Sequence, residues 1–228
     1  MAIIDVIIPA FNEENSVQKV IADIPKDLVR EIIVVNNNSN DDTSAKAHAT
    51  GATVLLETFQ GYGAACLKGI GYLYLKEIKP DIVVFIDADY SDYPEQMSRL
   101  IQPMLSENYE MVIGSRTMGK RDKGSMTVQQ RFGTQLATTL LLWLYKIKYT
   151  DLGPFRAIKY SSLIKLGMKD KTYGWTVEMQ LKAAKFKMKV MEVPVDYRVR
   201  IGFSKISGTV KGTLMAGYKI MTTIFRHL

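Results

Sequence analysis

The chain has 228 residues. Because a typical domain holds about 150 residues, this length predicts one large domain or one domain with an appendage. A hydrophobic fraction of 47% and a charged fraction of 23% exclude a disordered or collagen-like chain. The single cysteine excludes an internal disulfide, and the two histidines are too few to build a zinc site.

The net charge of +7 is unevenly distributed along the chain. Residues 1–158 hold 16 Lys and Arg against 19 Asp and Glu, whereas residues 159–228 hold 14 against 4. The C-terminal third is therefore expected to meet an anionic partner, and a solvated lysine-rich face is the alternative. The N-terminal sequence lacks the basic region of a secretory signal, so we expect a cytoplasmic protein.

Short apolar runs rich in Val and Ile predict strands that are buried on both faces of a parallel sheet. In the first half of the chain they alternate with helix signals, which indicates a doubly wound α/β domain. The predicted strands of this half are residues 3–8, 31–35, 53–56, 82–86 and 111–113.

The second half is predicted to add two strands, at residues 155–158 and 190–195, and three helices. The apolar run 136–145 is too short to span a bilayer, which needs about 20 residues, but it suits a core helix or an interfacial helix. A second helix is expected at about 175–187, and an amphipathic helix after Gly208.

Acidic side chains follow the fourth predicted strand. Alternation along an extended chain places Asp87 and Asp89 on the same side, where they can approach one centre. Two like charges held together are costly unless a cation compensates them, and such oxygen ligands suit Mg²⁺ or Mn²⁺ together with substrate phosphates. Asp92 is instead expected to cap the helix that begins near Pro94, and the same capping role is the alternative for Asp89.

Several cationic residues lie close to Gly, Ser or aromatic residues and not on a regular helix face. Arginine forks and a close approach of the backbone are what a diphosphate requires, although each of these residues taken alone also fits a surface charge. They are Arg116, Arg131, Arg156, Arg200 and Lys205.

Taken together, eight motifs between Ile3 and about Thr209 resemble those of family 2 glycosyltransferases, in particular the dolichyl- and polyprenyl-phosphate mannosyl- and glucosyltransferases. In chain order they are PAFNEE, VVNNNSNDDT, QGYGAACLKG, DADYSDYPE, GSR, DLGPFRA, YGWTVEMQ and RIGFSKISGT. The resemblance implies a GT-A fold, a nucleotide-binding, doubly wound and mostly parallel sheet with acceptor-side helices. It also implies an inverting transfer of glucose or mannose from a UDP- or GDP-hexose, with Mg²⁺ or Mn²⁺.

The resemblance further implies a division of the chain. A single catalytic domain is expected over residues 1–207, followed by an amphipathic helix at 208–228. Within the domain, residues 1–114 would hold the nucleotide sugar, and residues 115–207 would hold the acceptor.

The donor site is carried over from the family residue by residue. Asp87 and Asp89 are expected to bind the metal, and Asp89 is also expected to be catalytic. Asn36, followed by Asn37, stands where the family has Asp; its carbonyl can still accept a hydrogen bond from a base N–H but brings no charge, so the base stays open. Ser91 stands near the place of a glutamine in the mannosyl enzymes, which leaves glucose as an alternative to mannose. The residues expected to bind the nucleotide sugar are Pro9, Ala10, Phe11, Glu13, Asn36, Gly63, Lys68, Asp87, Ala88, Asp89, Arg200 and Lys205.

On the acceptor side, Arg116 and Arg131 are expected to face an acceptor phosphate. A lipid phosphate is already anionic and needs no general base, whereas a hydroxyl acceptor needs a carboxylate to take its proton. Asp151 and Glu178 are the candidates for that base. Their structural alternatives are a turn residue for Asp151 and a helix-surface charge for Glu178.

The expected acceptor is polyprenyl phosphate, with the enzyme held at an anionic membrane surface by its basic C-terminal third. One alternative is a soluble transferase that acts on a hydroxyl of a glycan or small molecule. The other is a non-catalytic binder of a nucleotide or a polyanion. We expect no nucleic-acid partner, because the sequence contains no aromatic and basic module of known spacing.

Overall fold

In the computed structural model, seven strands form one mixed sheet in the order β3-β2-β1-β4-β6-β5-β7. It describes residues 2–202 and 210–226, with side chains for 2–202 and 215–226. Lys205, expected to contact the donor, lies outside the described residues. The strands are β1 Ile4–Ala10, β2 Glu31–Asn36, β3 Thr53–Leu56, β4 Ile82–Phe85, β5 Met111–Ser115, β6 Arg156–Lys159 and β7 Val190–Pro194.

The sheet is mostly parallel, as the sequence predicts. Strands β1 to β4 run parallel to one another, and β7 runs parallel to β5. Strand β6 is the exception, because it lies antiparallel between β4 and β5.

Helices cover both faces of the sheet, and each face has its own apolar core. Helices α3 and α5 to α8 contribute to one core, and α1, α2 and α4 to the other. Residues of one strand alternate between the two cores, so that Ile7 packs on one side and its neighbours Val6 and Ile8 on the other. The helices are α1 Val17–Asp23, α2 Thr43–His48, α3 Tyr62–Leu75, α4 Met97–Ser106, α5 Val128–Tyr145, α6 Tyr160–Leu166, α7 Trp175–Lys185 and α8 Val210–Arg226.

The predicted apolar helix 136–145 is the C-terminal part of the longer helix α5. Thr127 and Gln130 form a capping box that fixes where α5 begins, and Lys146 in the left-handed conformation ends it. In the part of the chain that the structure describes, no helix combines the length and the apolar character needed to cross a membrane.

The carboxyl ends of β2, β1 and β4 lie side by side at one edge of the sheet. Ala10 at the end of β1 pairs with Asn36 at the end of β2, and Ile7 pairs with Phe85 at the end of β4. The polar segments that follow these strands therefore meet at this edge, which is where α/β sheets bind ligands.

Candidate active site

A cleft of about 400 Å³ opens at the carboxyl edge of the sheet. The ends of β1, β2 and β4 form its floor, the start of α3 forms one wall, and the turn before α7 contributes another. Its lining residues are Pro9, Ala10, Phe11, Glu13, Asn37, Gln60, Gly61, Tyr62, Asp87, Ala88, Asp89, Thr172, Tyr173 and Arg200. Seven of the residues carried over for the nucleotide sugar, together with Arg200, are thus brought to one cleft.

Asp87 and Asp89 lie in the cleft just beyond the end of β4. Oδ1 of Asp87 is buried and has no hydrogen-bond partner among the described residues. Burial, and then the negative charge of Asp89, raise the pKa of Asp87 to about 7. Oδ1 of Asp89 accepts hydrogen bonds from the backbone N–H of Ser91 over 2.9 Å and from its hydroxyl over 2.5 Å.

Arg200 joins the two sides of the cleft. Its guanidinium lies 2.7 Å from a carboxylate oxygen of Glu13 and 3.1 Å from Oδ2 of Asp89. The backbone N–H of Ile201 also donates to the carbonyl oxygen of Asp89 over 2.9 Å. Arg200 therefore compensates part of the negative charge that the sheet edge concentrates here.

Asp87 and Asp89 fit a divalent cation. A buried carboxylate oxygen without a partner calls for a positive neighbour, and carboxylate oxygens are the ligands that Mg²⁺ and Mn²⁺ prefer. No group of three or more His, Cys, Asp or Glu side chains that could hold a metal is found within the described residues. The remaining ligands would therefore be oxygen atoms of a substrate or of water.

Asn37 lines the cleft just beyond the end of β2, and its side-chain amide is held in one orientation. The amide nitrogen donates to the carbonyl oxygens of Glu57 and Phe59 over 3.2 and 2.7 Å. Oδ1 accepts from the backbone N–H of Gly61 over 2.7 Å. A flipped amide would set N–H against N–H, so the orientation is fixed, and Oδ1 keeps a second lone pair beside the one that accepts from Gly61. The sequence predicts Asn36, and not Asn37, as a binding residue. Asn37 belongs to the same polar run after β2, and this run is the sequence feature that points to it.

Three of the residues carried over for the nucleotide sugar, and Arg156 of the cationic residues, do not line this cleft. Asn36 donates to the Ser44 hydroxyl and accepts from the backbone N–H of Ser39. Gly63 permits close packing, because a Cβ there would lie 2.0 Å from the carbonyl oxygen of Asp170. The other two residues are Lys68, which lines a separate groove beside α3, and Arg156, which is buried and donates to backbone carbonyl oxygens.

Arg116 and Asp151 form a buried ion pair on the acceptor side. The guanidinium donates to both carboxylate oxygens over 2.8 Å, and the backbone N–H groups of Arg116 and Leu152 donate to the same carboxylate over 2.9 and 2.8 Å. Burial alone raises the pKa of Asp151, but the charge and hydrogen bonds of Arg116 outweigh burial and lower it. The Asp151 carboxylate therefore has a structural role as the charge partner of Arg116, beyond the turn role that is the alternative from the sequence.

The expectation that Asp92 caps a helix is wrong. The short 3₁₀ turn Pro94–Gln96 and helix α4 begin without a side-chain cap. Asp92 is instead buried, and neither of its carboxylate oxygens has a hydrogen-bond partner in the described part of the chain. Burial, and then the charge of Asp87, raise its pKa well above the usual value. Asp92 is thus a buried carboxyl close to Asp87, and it does not line the cleft.

Glu178 lies in the interior and not on the helix surface. Its carboxylate accepts hydrogen bonds from the backbone N–H groups of Lys169 and Asp170, the shortest over 2.7 Å, and pairs with Lys182 over 2.6 Å. These contacts hold the turn that supplies Thr172 and Tyr173 to the cleft. Glu178 does not line the cleft itself.

Arg131 lines a smaller pocket of about 250 Å³ between α5 and the segment after β5. Four threonines give this pocket a hydroxyl-rich wall, and Arg121 adds a second guanidinium. Two of the threonines, Thr117 and Thr150, directly neighbour Arg116 and Asp151 in the chain, so the buried ion pair supports this pocket. The lining residues are Thr117, Arg121, Met126, Arg131, Thr134, Gln135, Thr138 and Thr150.

Comparisons with known proteins agree on the family and the fold. The family model described as Glycosyl transferase family 2 matches residues 5–167. An uncharacterized glycosyltransferase of Mycobacterium tuberculosis is 32% identical over 214 residues, which cover 93% of this chain and 94% of that protein. A UDP-N-acetylglucosamine–dolichyl-phosphate N-acetylglucosaminyltransferase of Methanococcus voltae is 28% identical, over 96% of this chain and 93% of the relative.

Among solved structures, glucosyl-3-phosphoglycerate synthase from Mycobacterium tuberculosis, in complex with Mn²⁺, UDP and phosphoglyceric acid, has a similar fold. The TM-score is 0.78 at 22% identity, and the match covers 99% of this chain and 78% of that one. The predicted GT-A fold is confirmed. The chain belongs to glycosyltransferase family 2.

Proposed function

We propose that this glycosyltransferase moves a hexose from a UDP-hexose to polyprenyl phosphate, with inversion at the anomeric carbon. The observation that carries the proposal is the cleft at the carboxyl edge of the sheet. Both the acidic pair Asp87 and Asp89, after β4, and the oriented amide of Asn37, after β2, line this cleft, and β1 lies between the two strands. The acidic pair suits a metal-bound diphosphate, and the amide suits a base.

The fixed amide of Asn37 favours uracil as the base. Uracil presents a single N–H between two carbonyl oxygens, and Oδ1 of Asn37 offers that N–H one neutral acceptor. Guanine presents two adjacent donors, which a carboxylate would meet better. Two similar proteins support the same base, since the Methanococcus voltae relative is named for a UDP sugar and the solved structure of similar fold contains UDP.

The diphosphate is expected to lie between the acidic pair and Arg200. Asp87 and Asp89 would hold a divalent cation, which would neutralise the charge that develops on the departing diphosphate. Arg200, which pairs with Glu13 and Asp89 in this structure, is positioned to donate its guanidinium N–H groups to phosphate oxygens. Pro9, Ala10 and Phe11 at the end of β1 are expected to support the base and ribose.

The state of the two candidate bases supports a phosphate acceptor. Asp151 accepts four hydrogen bonds, and Glu178 holds a backbone turn and Lys182, so each carboxylate is committed to a structural contact. An anionic acceptor requires no base. The pocket at Arg131, with its threonine hydroxyls, is the proposed place for that phosphate.

The proposal is tested by transfer of a radiolabelled hexose from UDP-glucose, UDP-N-acetylglucosamine and GDP-mannose to a short-chain polyprenyl phosphate. We expect transfer from a UDP sugar, and a loss on the order of 10²- to 10³-fold in Asp89→Asn, because an amide removes the charge that holds the cation. Asp27→Asn, at an exposed aspartate, is the matched control and should retain full activity.

Two outcomes would contradict the proposal. Transfer to phosphoglyceric acid or to a glycan hydroxyl, and not to polyprenyl phosphate, would favour the hydroxyl-acceptor alternative. Binding of UDP sugars with no transfer to any acceptor would favour a non-catalytic nucleotide binder.

A further inference from the structure

The C-terminal ends of helices α5, α7 and α8 meet at one place on the surface. The Tyr145 hydroxyl donates to the carbonyl oxygen of Ile224 over 2.6 Å, which joins the last turns of α5 and α8. The Lys185 ammonium lies 5.9 Å from the centre of the Tyr145 ring, which brings the end of α7 to the same junction.

Large apolar side chains and lysines are exposed together around this junction. Trp143 is 76% exposed and Phe225 is 51% exposed, although both residue types usually bury their rings. We define the helix-end patch as the six exposed side chains here, which are Leu142, Trp143, Lys146, Lys148, Lys185 and Phe225.

The three segments that build the helix-end patch contain no acidic residue. Residues 128–150, 179–191 and 210–226 include neither Asp nor Glu. Glu178, in the first turn of α7, pairs with Lys182. Among the described residues none of the three patch lysines forms an ion pair with a carboxylate, so their positive charge faces solvent. An exposed surface that combines large apolar groups with uncompensated positive charge indicates a binding site for an anionic, amphipathic partner.

We propose that the helix-end patch docks on the anionic surface of a lipid bilayer, in keeping with the expected cytoplasmic leaflet. Trp143 and Phe225 would enter the headgroup region, where aromatic rings are favoured, and the lysines would remain among the lipid phosphates. Docking at a bilayer rests on the proposed function, because it would bring the enzyme to a polyprenyl-phosphate acceptor that is embedded in the membrane.

Helix α5 connects the helix-end patch to the proposed acceptor pocket. Phe132, Leu136 and Trp143 recur at helical spacing on one face, and all three are exposed. Thr134 and Thr138, on the same helix, line the pocket that contains Arg131. Thr134 and Thr138 lie on the opposite face of α5 from Phe132 and Trp143. A helix that lies on the bilayer by its exposed face would therefore hold this pocket about 10 Å, one helix diameter, from the lipid headgroups.

Charge favours a bilayer over a second copy of this chain. In a symmetric dimer the same patch would meet itself, and three lysines would face three lysines across an apolar contact. Lipid phosphates would instead complement these lysines, while the headgroup region accepts the rings of Trp143 and Phe225.

The test is co-sedimentation of the full chain with vesicles of phosphatidylglycerol and phosphatidylcholine, and with vesicles of phosphatidylcholine alone. We expect binding to the anionic vesicles, weakened in about 1 M NaCl, where the Debye length falls to about 3 Å. The variant Lys148→Glu/Lys185→Glu should bind at least about 25-fold more weakly, because each lysine near an anionic surface contributes about fivefold. The matched control Lys26→Glu/Lys79→Glu makes the same charge change at exposed lysines elsewhere and should bind as the wild type does.

A second pair of variants tests the apolar part of the patch. Trp143→Ser should weaken vesicle binding on the order of tenfold, whereas Leu75→Ser, at a residue that is 81% exposed on α3, should not. Equal losses in patch and control variants, or no wild-type binding to anionic vesicles, would overturn the proposal. So would a dimer that Trp143→Ser converts to a monomer in sedimentation velocity, since a second copy would then cover the patch.

Transfer to a short-chain, water-soluble polyprenyl phosphate separates this inference from the proposed function. The Lys148→Glu/Lys185→Glu variant should retain that transfer while it loses vesicle binding. If no acceptor is glycosylated but the patch variants still detach from vesicles, the proposed function fails and the docking surface stands.

Discussion

At the scale of single residues, the site is organised by charges that are compensated in pairs. Arg200 offsets Glu13 and Asp89 at the cleft, and Arg116 offsets Asp151 next to the pocket that contains Arg131. Asp87 is left with a buried oxygen that has no partner among the described residues. That imbalance is the feature of the site that most directly calls for a bound cation.

Asp151→Asn tests whether the buried pair is structural. We expect the free energy of unfolding to fall by about 3 kcal/mol near neutral pH, because the buried guanidinium of Arg116 would lose its compensating charge. Urea unfolding of the variant and the wild type measures the difference. The exposed Asp27→Asn is again the control.

The pH dependence of this difference has a definite sign. Because the pKa of Asp151 is lower in the folded state than the ordinary value of about 3.9, the ion pair stabilises the fold above that pH. The stabilisation is lost as the pH falls through the lowered pKa. The gap between wild type and Asp151→Asn should therefore narrow on acidification, and a gap that stays constant would contradict this account.

At the scale of elements, the turn before α7 is held in place by contacts from three helices. Glu178 of α7 holds the backbone of Lys169 and Asp170, and Lys219 of α8 pairs with Asp170 over 3.0 Å. Helix α3 packs on the same turn, where Gly63 leaves room for the carbonyl oxygen of Asp170. Glu178, Lys219 and Gly63 thereby position Thr172 and Tyr173, although none of these three residues lines the cleft.

Glu178→Gln distinguishes a positioning role from a base. An amide at this position turns an N–H donor toward backbone N–H groups, so we expect a lower melting temperature and a KM for UDP-hexose raised about tenfold, with kcat changed by less than about twofold. A general base would instead lose on the order of 10²-fold or more in kcat. Steady-state kinetics measure both constants, and Glu77→Gln, at an exposed glutamate, is the control.

The elements could be predicted from the sequence because strands buried on both faces produce uninterrupted Val and Ile runs. The partners of single side chains could not. Asp151 binds Arg116 across 35 positions, and Asn37 is oriented by residues 20 or more positions away. No local sequence pattern carries such pairings. The sequence therefore predicts a helix cap at Asp92, and it leaves the role of Glu178 open between a general base and a surface charge.

At the scale of the whole molecule, the net charge differs in sign between residues 1–158 and the C-terminal third, residues 159–228. The net negative residues 1–158 gather the acidic pair of the donor cleft, and the basic residues 159–228 supply Arg200 and two of the three helix ends of the helix-end patch. A negative cleft requires a cation before it can receive a diphosphate, and a positive surface suits an anionic membrane. The proposed function uses both properties together.

The central claim is that the donor cleft binds UDP through a divalent cation held by Asp87 and Asp89. Isothermal titration calorimetry of UDP, with Mn²⁺ and after its removal by a chelator, tests it most directly. We predict that Mn²⁺ tightens UDP binding at least about tenfold in the wild type, that Asp89→Asn abolishes this gain, and that GDP binds more weakly than UDP. Equal UDP affinity with and without Mn²⁺ in the wild type would contradict the account.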